Sequence, residues 1–306
     1  MKQLLILSGK GGTGKTTIAS AFISLAKVKA YADCDVDAPN LHLMMSQSFD
    51  SNDAKSREFY GLDKAEINSD LCSKCGICQS HCRFDAISQE ISQRNPKEDY
   101  FQVDFFACEG CGLCEAICPE GAVSLRPAVA GNLYLYRDET VFSTARLKIG
   151  SGNSGLLVSE VKKQLISAID SYDKENFELA IIDGSPGIGC PVIASISGVD
   201  MVLIVTEPSL SGISDMDRIV QTAQIFQPDI AICVNKYDVN PEYTKKIEEY
   251  CSEHSLSFLG KIPFDRDAVK AVNNGQSIDL VNSKASRAVK DIFVKTMEKL
   301  QLGSCI

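Results

Sequence analysis

The sequence predicts an α/β fold, a mostly parallel sheet with helices on both faces, into which a small α+β unit is inserted. Three observations predict it. Short apolar runs of strand length alternate with amphipathic helical stretches along most of the 306 residues. A glycine-rich loop, Gly9 to Thr16, joins the first strand to the first helix. Between Ile67 and Pro127 the alternation stops, and eight of the thirteen cysteines fall in that window.

Taken in order, residues 2–8 read as a buried strand and Thr17 to Lys29 as a helix, with Ile18, Phe22, Leu25 and Ala26 on one face. A short strand ends at Asp33. Residues 41–66 carry no clear pattern and include a polar stretch from Ser46 to Arg57. After Pro127, Leu156 to Ile169 reads as an amphipathic helix. Leu179 to Ile182, Met201 to Val205 and Ile230 to Val234 read as buried strands. Ile213 to Phe226 and Tyr243 to Tyr250 read as helices, and Asn240-Pro241 is a cap followed by a first helical position. Residues 1–66 and 128–306 are thus predicted to form one discontinuous domain, with 67–127 inserted into it.

Composition narrows the function classes. Hydrophobic residues make up 44% of the chain, enough for a full core, and no apolar run reaches the length of a membrane span. The N-terminal apolar run, Met1 to Gly9, is too short for a signal peptide, which predicts a cytoplasmic protein. The net charge is −9, with 40 acids against 31 bases and no run of Lys or Arg, so no nucleic-acid partner is expected. Val289 to Leu302 is weakly amphipathic but lacks a strongly basic face. It reads as a core or edge helix, and no stable membrane insertion is expected. Disulfides are disfavoured in the cytosol, so the cysteines point to metal ligation.

Gly9-Lys10-Gly11-Gly12-Thr13-Gly14-Lys15-Thr16 fits the Walker A pattern, placed between a strand and a helix as the motif requires. Glycines let backbone N–H groups curl around phosphate oxygens, and the helix N-terminus adds positive potential. Lys15 is placed to reach the β- and γ-phosphates and Thr16 to ligate Mg²⁺. Together with the extra Lys10, the loop resembles the deviant Walker A group of the MinD, ParA, Mrp and nitrogenase iron protein superfamily. That resemblance implies ATP hydrolysis in a dimer, with Lys10 crossing to the partner's nucleotide. Asp33-Cys34-Asp35-Val36-Asp37 looks like switch I of that group, which implies that Asp35 positions or deprotonates the attacking water and that Asp33 holds Mg²⁺ through water. Ile181-Ile182-Asp183-Gly184-Ser185-Pro186-Gly187 looks like Walker B plus switch II, with Asp183 at the metal. The implied nucleotide contacts are Gly11, Gly12, Thr13, Gly14, Lys15, Thr16 and Thr17, with Asn235 and Pro263 framing the base. Asn235-Lys236-Tyr237-Asp238 is also the guanine-reading pattern of many GTPases; the rest of the chain favours ATP.

Cys-x2-Cys-x2-Cys-x3-Cys occurs twice. Cys72, Cys75, Cys78 and Cys82 recur 36 residues later as Cys108, Cys111, Cys114 and Cys118, and the tails Asp85-Ala86-Ile87-Ser88 and Gly121-Ala122-Val123-Ser124 match. The second copy ends Cys118-Pro119, as in the bacterial ferredoxin run, where the fourth cysteine of each run ligates the other cluster. One [4Fe–4S] cluster is then expected on Cys72, Cys75, Cys78 and Cys118, and a second on Cys108, Cys111, Cys114 and Cys82. The first run has Arg83 where the second has Pro119. Zinc is the competing reading for paired Cys-x2-Cys, and the doubled spacing argues against it.

Nearly the whole chain resembles MinD-superfamily ATPases that carry an inserted ferredoxin domain. The resemblance implies a homodimer or a heterodimer with a paralogue, and a redox or iron–sulfur/metallocofactor partner protein. Its function is expected to couple ATP to electron transfer or to cluster or metallocofactor assembly. The alternative is a positioning or regulatory ATPase like MinD or ParA, with clusters that sense redox state. Cys190, seven residues beyond Asp183, stands where the nitrogenase iron protein has a cluster ligand, and is a further candidate for a bridging thiolate. Its bland reading is a small buried residue at a helix start. Cys233 reads as core, while Cys251 and Cys305 carry no signal.

Overall fold

The computed structural model describes residues 1–45, 54–90, 100–170 and 177–302. In chain order the elements are β1 (Lys2–Leu7), α1 (Lys15–Ala26), β2 (Ala30–Asp33), α2 (Leu41–Met44), β3 (Ala54–Tyr60), β4 (Lys64–Ile67), α3 (Ile77–Ser80), β5 (Ile87–Glu90), β6 (Tyr100–Val103), α4 (Leu113–Ala116) and β7 (Val123–Arg126). They continue with β8 (Val129–Arg137), β9 (Val141–Leu147), α5 (Ser154–Ile169), β10 (Leu179–Asp183), α6 (Cys190–Ile196), β11 (Met201–Thr206), α7 (Leu210–Gln224), β12 (Asp229–Asn235), α8 (Pro241–Glu253), β13 (Ser257–Ile262), α9 (Arg266–Asn273) and α10 (Lys284–Lys299). Cys305 and residues 46–53 of the polar stretch lie outside the described residues.

The chain divides into two compact units. The larger is discontinuous: Met1–Arg57, Leu133–Arg146 and Ser154–Ile306. Its sheet runs in the order β13-β12-β11-β1-β10-β2-β9-β8-β3. β1 pairs parallel with β10 and β11, β10 with β2, β2 with β9, and β11 with β12 and on to β13. Strands covered on both faces should be apolar throughout, and β10 and β11 bury every residue. On one face Phe22 meets Phe293 edge-on at 5.2 Å, and Tyr31, Phe142 and Tyr136 stack at 4.8 and 5.3 Å. Burying each such ring stabilises the fold by roughly 1.5–3 kcal/mol.

Caps set the helix ends, and they differ from the sequence reading. α1 stops at Ala26 instead of Lys29 because Lys27 turns left-handed (φ 48°) and donates its N–H back to Ile23 and Ser24. α7 starts three residues before the expected Ile213, since the Ser209 hydroxyl accepts from Gly212 N–H. α8 starts at Pro241, with the Asn240 side chain accepting from Tyr243 N–H, as the Asn-Pro pair predicts.

The smaller unit comprises Glu58–Asn132 and Leu147–Asn153. It takes in residues 58–66, 128–132 and 147–153, which the composition change left outside the cysteine window. Strand pairing explains part of this, because β4 pairs antiparallel with β7 and so belongs with the second cysteine run. β5 and β6 form a second antiparallel pair. The internal repeat is visible in the backbone. α3 follows left-handed Gly76 (φ 71°) and α4 follows left-handed Gly112 (φ 76°), a position only glycine adopts at low cost. No helix among the described residues is long and apolar enough to cross a membrane.

Candidate functional site

Parallel register brings the carboxylates together. Asp33 ends β2 and Asp183 ends β10, and the two are direct cross-strand partners at the C-terminal edge of the sheet, where α/β proteins bind ligands. Both are fully buried. The loop between β1 and α1 opens on the same edge. Lys15, the first residue of α1, places its Nζ 2.5 Å from Asp183 Oδ1, and the Thr16 hydroxyl donates to Asp183 Oδ2 at 2.7 Å. Asp33 accepts from the backbone N–H groups of Asp35, Asn40 and Leu41, each at 3.0 Å, which folds residues 34–41 around it.

The charges interact strongly. Burial alone would favour neutral Lys15, but Asp183, then Asp33 and Asp35, outweigh it and hold its pKa above the ordinary value. Burial raises Asp33 to about 7, with Asp183 adding to the rise and Lys15 opposing it. Burial also raises Asp35 to about 6, opposed by Lys15 and reinforced by Asp183. Three buried acids share one ammonium, an excess of negative charge that a divalent cation would relieve.

On the other side of the loop, Asn235 at the end of β12 donates from Nδ2 to Thr13 O at 2.7 Å, and its Oδ1 accepts from Lys236 N. Gly14 has the left-handed φ of +92° that favours glycine, and a Cβ there would displace the Asn235 amide from its place beside the loop. Lys236 Nζ reaches Gly12 O at 3.2 Å and Glu207 Oε1 at 2.5 Å. Glu207 Oε2 lies 3.4 Å from Lys10 Nζ. Asp238 accepts from Phe264 N–H at 2.7 Å, so it ties together the loops after β12 and β13. A cavity of about 180 Å³ lies here, lined by Gly14, Thr17, Asn235, Pro263, Phe264 and Val269 among others. Sequence reasoning did not find Glu207; its signal is an acid directly after a buried strand, in a site with two loop lysines.

The loop after β10 is tied to its neighbours by Gly187 N–H donating to Ser8 O at 3.0 Å and by the Ser185 hydroxyl donating to Cys34 O at 2.5 Å. Cys34 is fully buried, and burial pushes its thiol up to about 12. Cys190 is the first residue of α6 and is exposed, unlike the buried residue of its bland reading. Lys162 of α5 closes the far end of α6, donating to Ser195 O at 2.7 Å and to Ser197 O at 2.5 Å. Cys233 and Cys251 are buried in the larger unit.

In the smaller unit all eight cysteines of the two runs are free thiols. One cavity is lined by Cys82, Cys108, Cys111 and Cys114, together with Phe84, Ala86, Ile87 and Leu125. A small core around Cys78 packs Cys72, Cys82 and Cys114, while that around Cys108 packs Cys82, Cys114 and Cys118. Backbone N–H groups donate to sulfur at repeat-related positions: Ala86 to Cys82 Sγ and Ala122 to Cys118 Sγ, both at 3.3 Å. For Cys118, slight burial opposes ionisation, yet the N–H groups of Ala122, Glu120, Val123 and Gly121 outweigh it and hold the thiol below its ordinary value. Among the described residues no three His, Cys, Asp or Glu side chains close on one point as a single metal ion would require.

A strand, a glycine loop and a helix that carry a lysine and a threonine onto a strand-end aspartate define a P-loop nucleotide hydrolase. A family model described as the CobQ/CobB/MinD/ParA nucleotide binding domain matches residues 4–278, and the chain belongs to that family. It is a P-loop ATPase. An uncharacterized protein of Methanocaldococcus jannaschii, MJ0578, is 34% identical over 301 residues, covering 97% of this chain and 96% of its own. The iron-sulfur cluster carrier protein of Pyrococcus horikoshii is 24% identical, covering 98% and 86%. Among solved structures, the septum site-determining protein MinD complexed with Mg-ADP, from Pyrococcus horikoshii, has a TM-score of 0.56 at 16% identity, covering 100% and 99%, and shares the fold.

Proposed function

We propose that this protein is an ATP-hydrolysing iron–sulfur protein that couples nucleotide-driven changes of a dimer to electron transfer or to iron–sulfur or metallocofactor assembly. The observation that carries the reading is the cavity lined by Cys82, Cys108, Cys111 and Cys114, in a chain with a complete P-loop site. Cys82 belongs to the first run and the other three to the second, which is the crossed set expected of a two-cluster ferredoxin domain. The partner set, Cys72, Cys75, Cys78 and Cys118, would hold the second cluster. Bound clusters would supply one-electron chemistry, and the N–H groups on Cys82 and Cys118 would tune it.

At the nucleotide site, Thr16 and Asp183 would hold Mg²⁺, with Asp33 acting through water. Lys15 would leave Asp183 for the phosphates. Asp35, held near neutral-pH titration by burial, would orient the attacking water. Pro263 and the cavity beside Asn235 would take the base, and Lys10 would act on the nucleotide of a second subunit. A homologue named as an iron–sulfur cluster carrier supports the cluster-linked half of the reading.

The test is anaerobic reconstitution with iron and sulfide, followed by iron analysis and spectroscopy. About eight irons per chain are expected from two four-iron clusters. Cys118→Ser should damage the cluster held by Cys72, Cys75 and Cys78, leaving its sequence neighbours loaded. A chain that takes up zinc stoichiometrically and no iron would refute the proposal.

A further inference from the structure

Glu207 stands between two lysines with different tasks. Its Oε1 lies 2.5 Å from Lys236, and its Oε2 lies 3.4 Å from Lys10. The carboxylate is mostly shielded, with 18% of its side chain exposed, whereas Lys10 keeps 38% exposed. Lys236 is held a second time, by Gly12 O. Glu207 is therefore anchored from the base side of the site, and Lys10 is its weaker, more exchangeable partner. An ammonium bound to a carboxylate of its own chain is not available to phosphates on another copy.

We propose that Glu207 is an intramolecular latch, which holds Lys10 in its own subunit when no nucleotide is bound and sets the threshold for ATP-dependent pairing with a second copy of the chain. The inference rests on the reading that Lys10 acts in trans. Phosphates entering the loop compete with Glu207 for Lys10 through their charge. The carboxylate does not follow Lys10 out, because Lys236 retains it. Release costs the subunit one partly exposed ion pair, worth up to about five-fold in an equilibrium. A symmetric dimer releases two, so the latch raises its dissociation constant by up to about twenty-five-fold.

Glu207→Gln tests this directly, because the amide oxygen still accepts from Lys236 while the charge that holds Lys10 is gone. Sedimentation of the full chain with Mg²⁺ and a non-hydrolysable ATP analogue reads the dimer dissociation constant. It should fall by about five- to twenty-five-fold, and half-maximal ATPase activity should move to lower protein concentration. Lys236→Met loosens the base-side loop and leaves the Lys10 pair, so it should not tighten the dimer. An unchanged or weaker dimer in Glu207→Gln would overturn the latch, as would equal tightening by Lys236→Met. If Lys10→Ala pairs and hydrolyses normally, the trans reading itself has failed, and that result separates the two.

Discussion

β10 and β11 bury all of their residues, whereas β5 buries one residue of its four. That contrast runs through the two units. The larger one is held by apolar burial across a wide sheet, at roughly 25 cal/mol per Å² removed from water. The smaller one has two short antiparallel strand pairs and two small cores, one built on Ala65, Ala86, Cys108 and Val123, the other on Cys78, Ile87 and Phe101. Several of its cysteines are part of the interior and, in the proposed reading, also the functional groups. In the proposed reading a unit with so little apolar core gains its stability from the clusters its thiols bind, so cluster loading and folding of the smaller unit are one equilibrium.

The largest expected effect follows from that difference. Metal binding contributes on the order of 10 kcal/mol to small metal-held domains. Chelated protein should be cleaved by protease within residues 58–132 under conditions where the loaded form resists, while the thermal transition of the larger unit stays put. Equal resistance of the two forms would show that the smaller unit folds unaided. Next comes the ATPase itself. Lys10→Ala should lower turnover by about 10³–10⁵ with nucleotide binding retained, as for a basic group supplied in trans, and Lys15→Ala should damage both. Isothermal titration beside steady-state kinetics separates these outcomes.

Smaller effects sharpen the same contrast. Gly14→Ala meets Asn235 as well as a left-handed backbone, and should cost the larger unit about 1–3 kcal/mol. Gly121→Ala in the smaller unit has φ +60° but open space, and should cost only about 1 kcal/mol. Denaturant midpoints of each unit would show the order. The larger unit should also show a pH effect. Asp35 is raised from 3.8 to about 6, so between those values the folded protein holds a proton that the unfolded chain has lost. Without nucleotide, stability should therefore fall as pH rises through that window, and Asp35→Asn should flatten the slope. Matching slopes in the variant and parent would remove Asp35 as the cause. Least of all, Cys34 and Cys233, both pushed up to about 12 by burial, should resist alkylation in the native protein while exposed Cys190 reacts.

The larger unit was legible where chemistry and periodicity coincide. The glycine loop, the strand-end Asp33 and Asp183 and the cap at Asn240 all follow local rules, whereas the left-handed Lys27 that ends α1 before the expected Lys29 carries no such signal. β8 and β9 were not read from sequence, because mixed aromatic and small residues such as Tyr134, Tyr136, Ser143 and Thr144 hide their alternation. The Glu207 pairs were invisible because they join positions distant in the chain, Lys10, Glu207 and Lys236, which only the sheet order brings together. In the smaller unit the repeat was plain in the cysteines. The pairing of Lys64–Ile67 with Val123–Arg126 was not, since neither segment carries a turn signal that links them.

The coupling of ATP to iron–sulfur chemistry is tested most directly by redox titration of the reconstituted protein, with ADP and with a non-hydrolysable ATP analogue, followed by electron paramagnetic resonance. The account predicts a midpoint potential that differs between the two nucleotide states, and loses that difference in Lys15→Ala. Identical potentials and spectra in both states, in protein shown to bind each nucleotide, would contradict it.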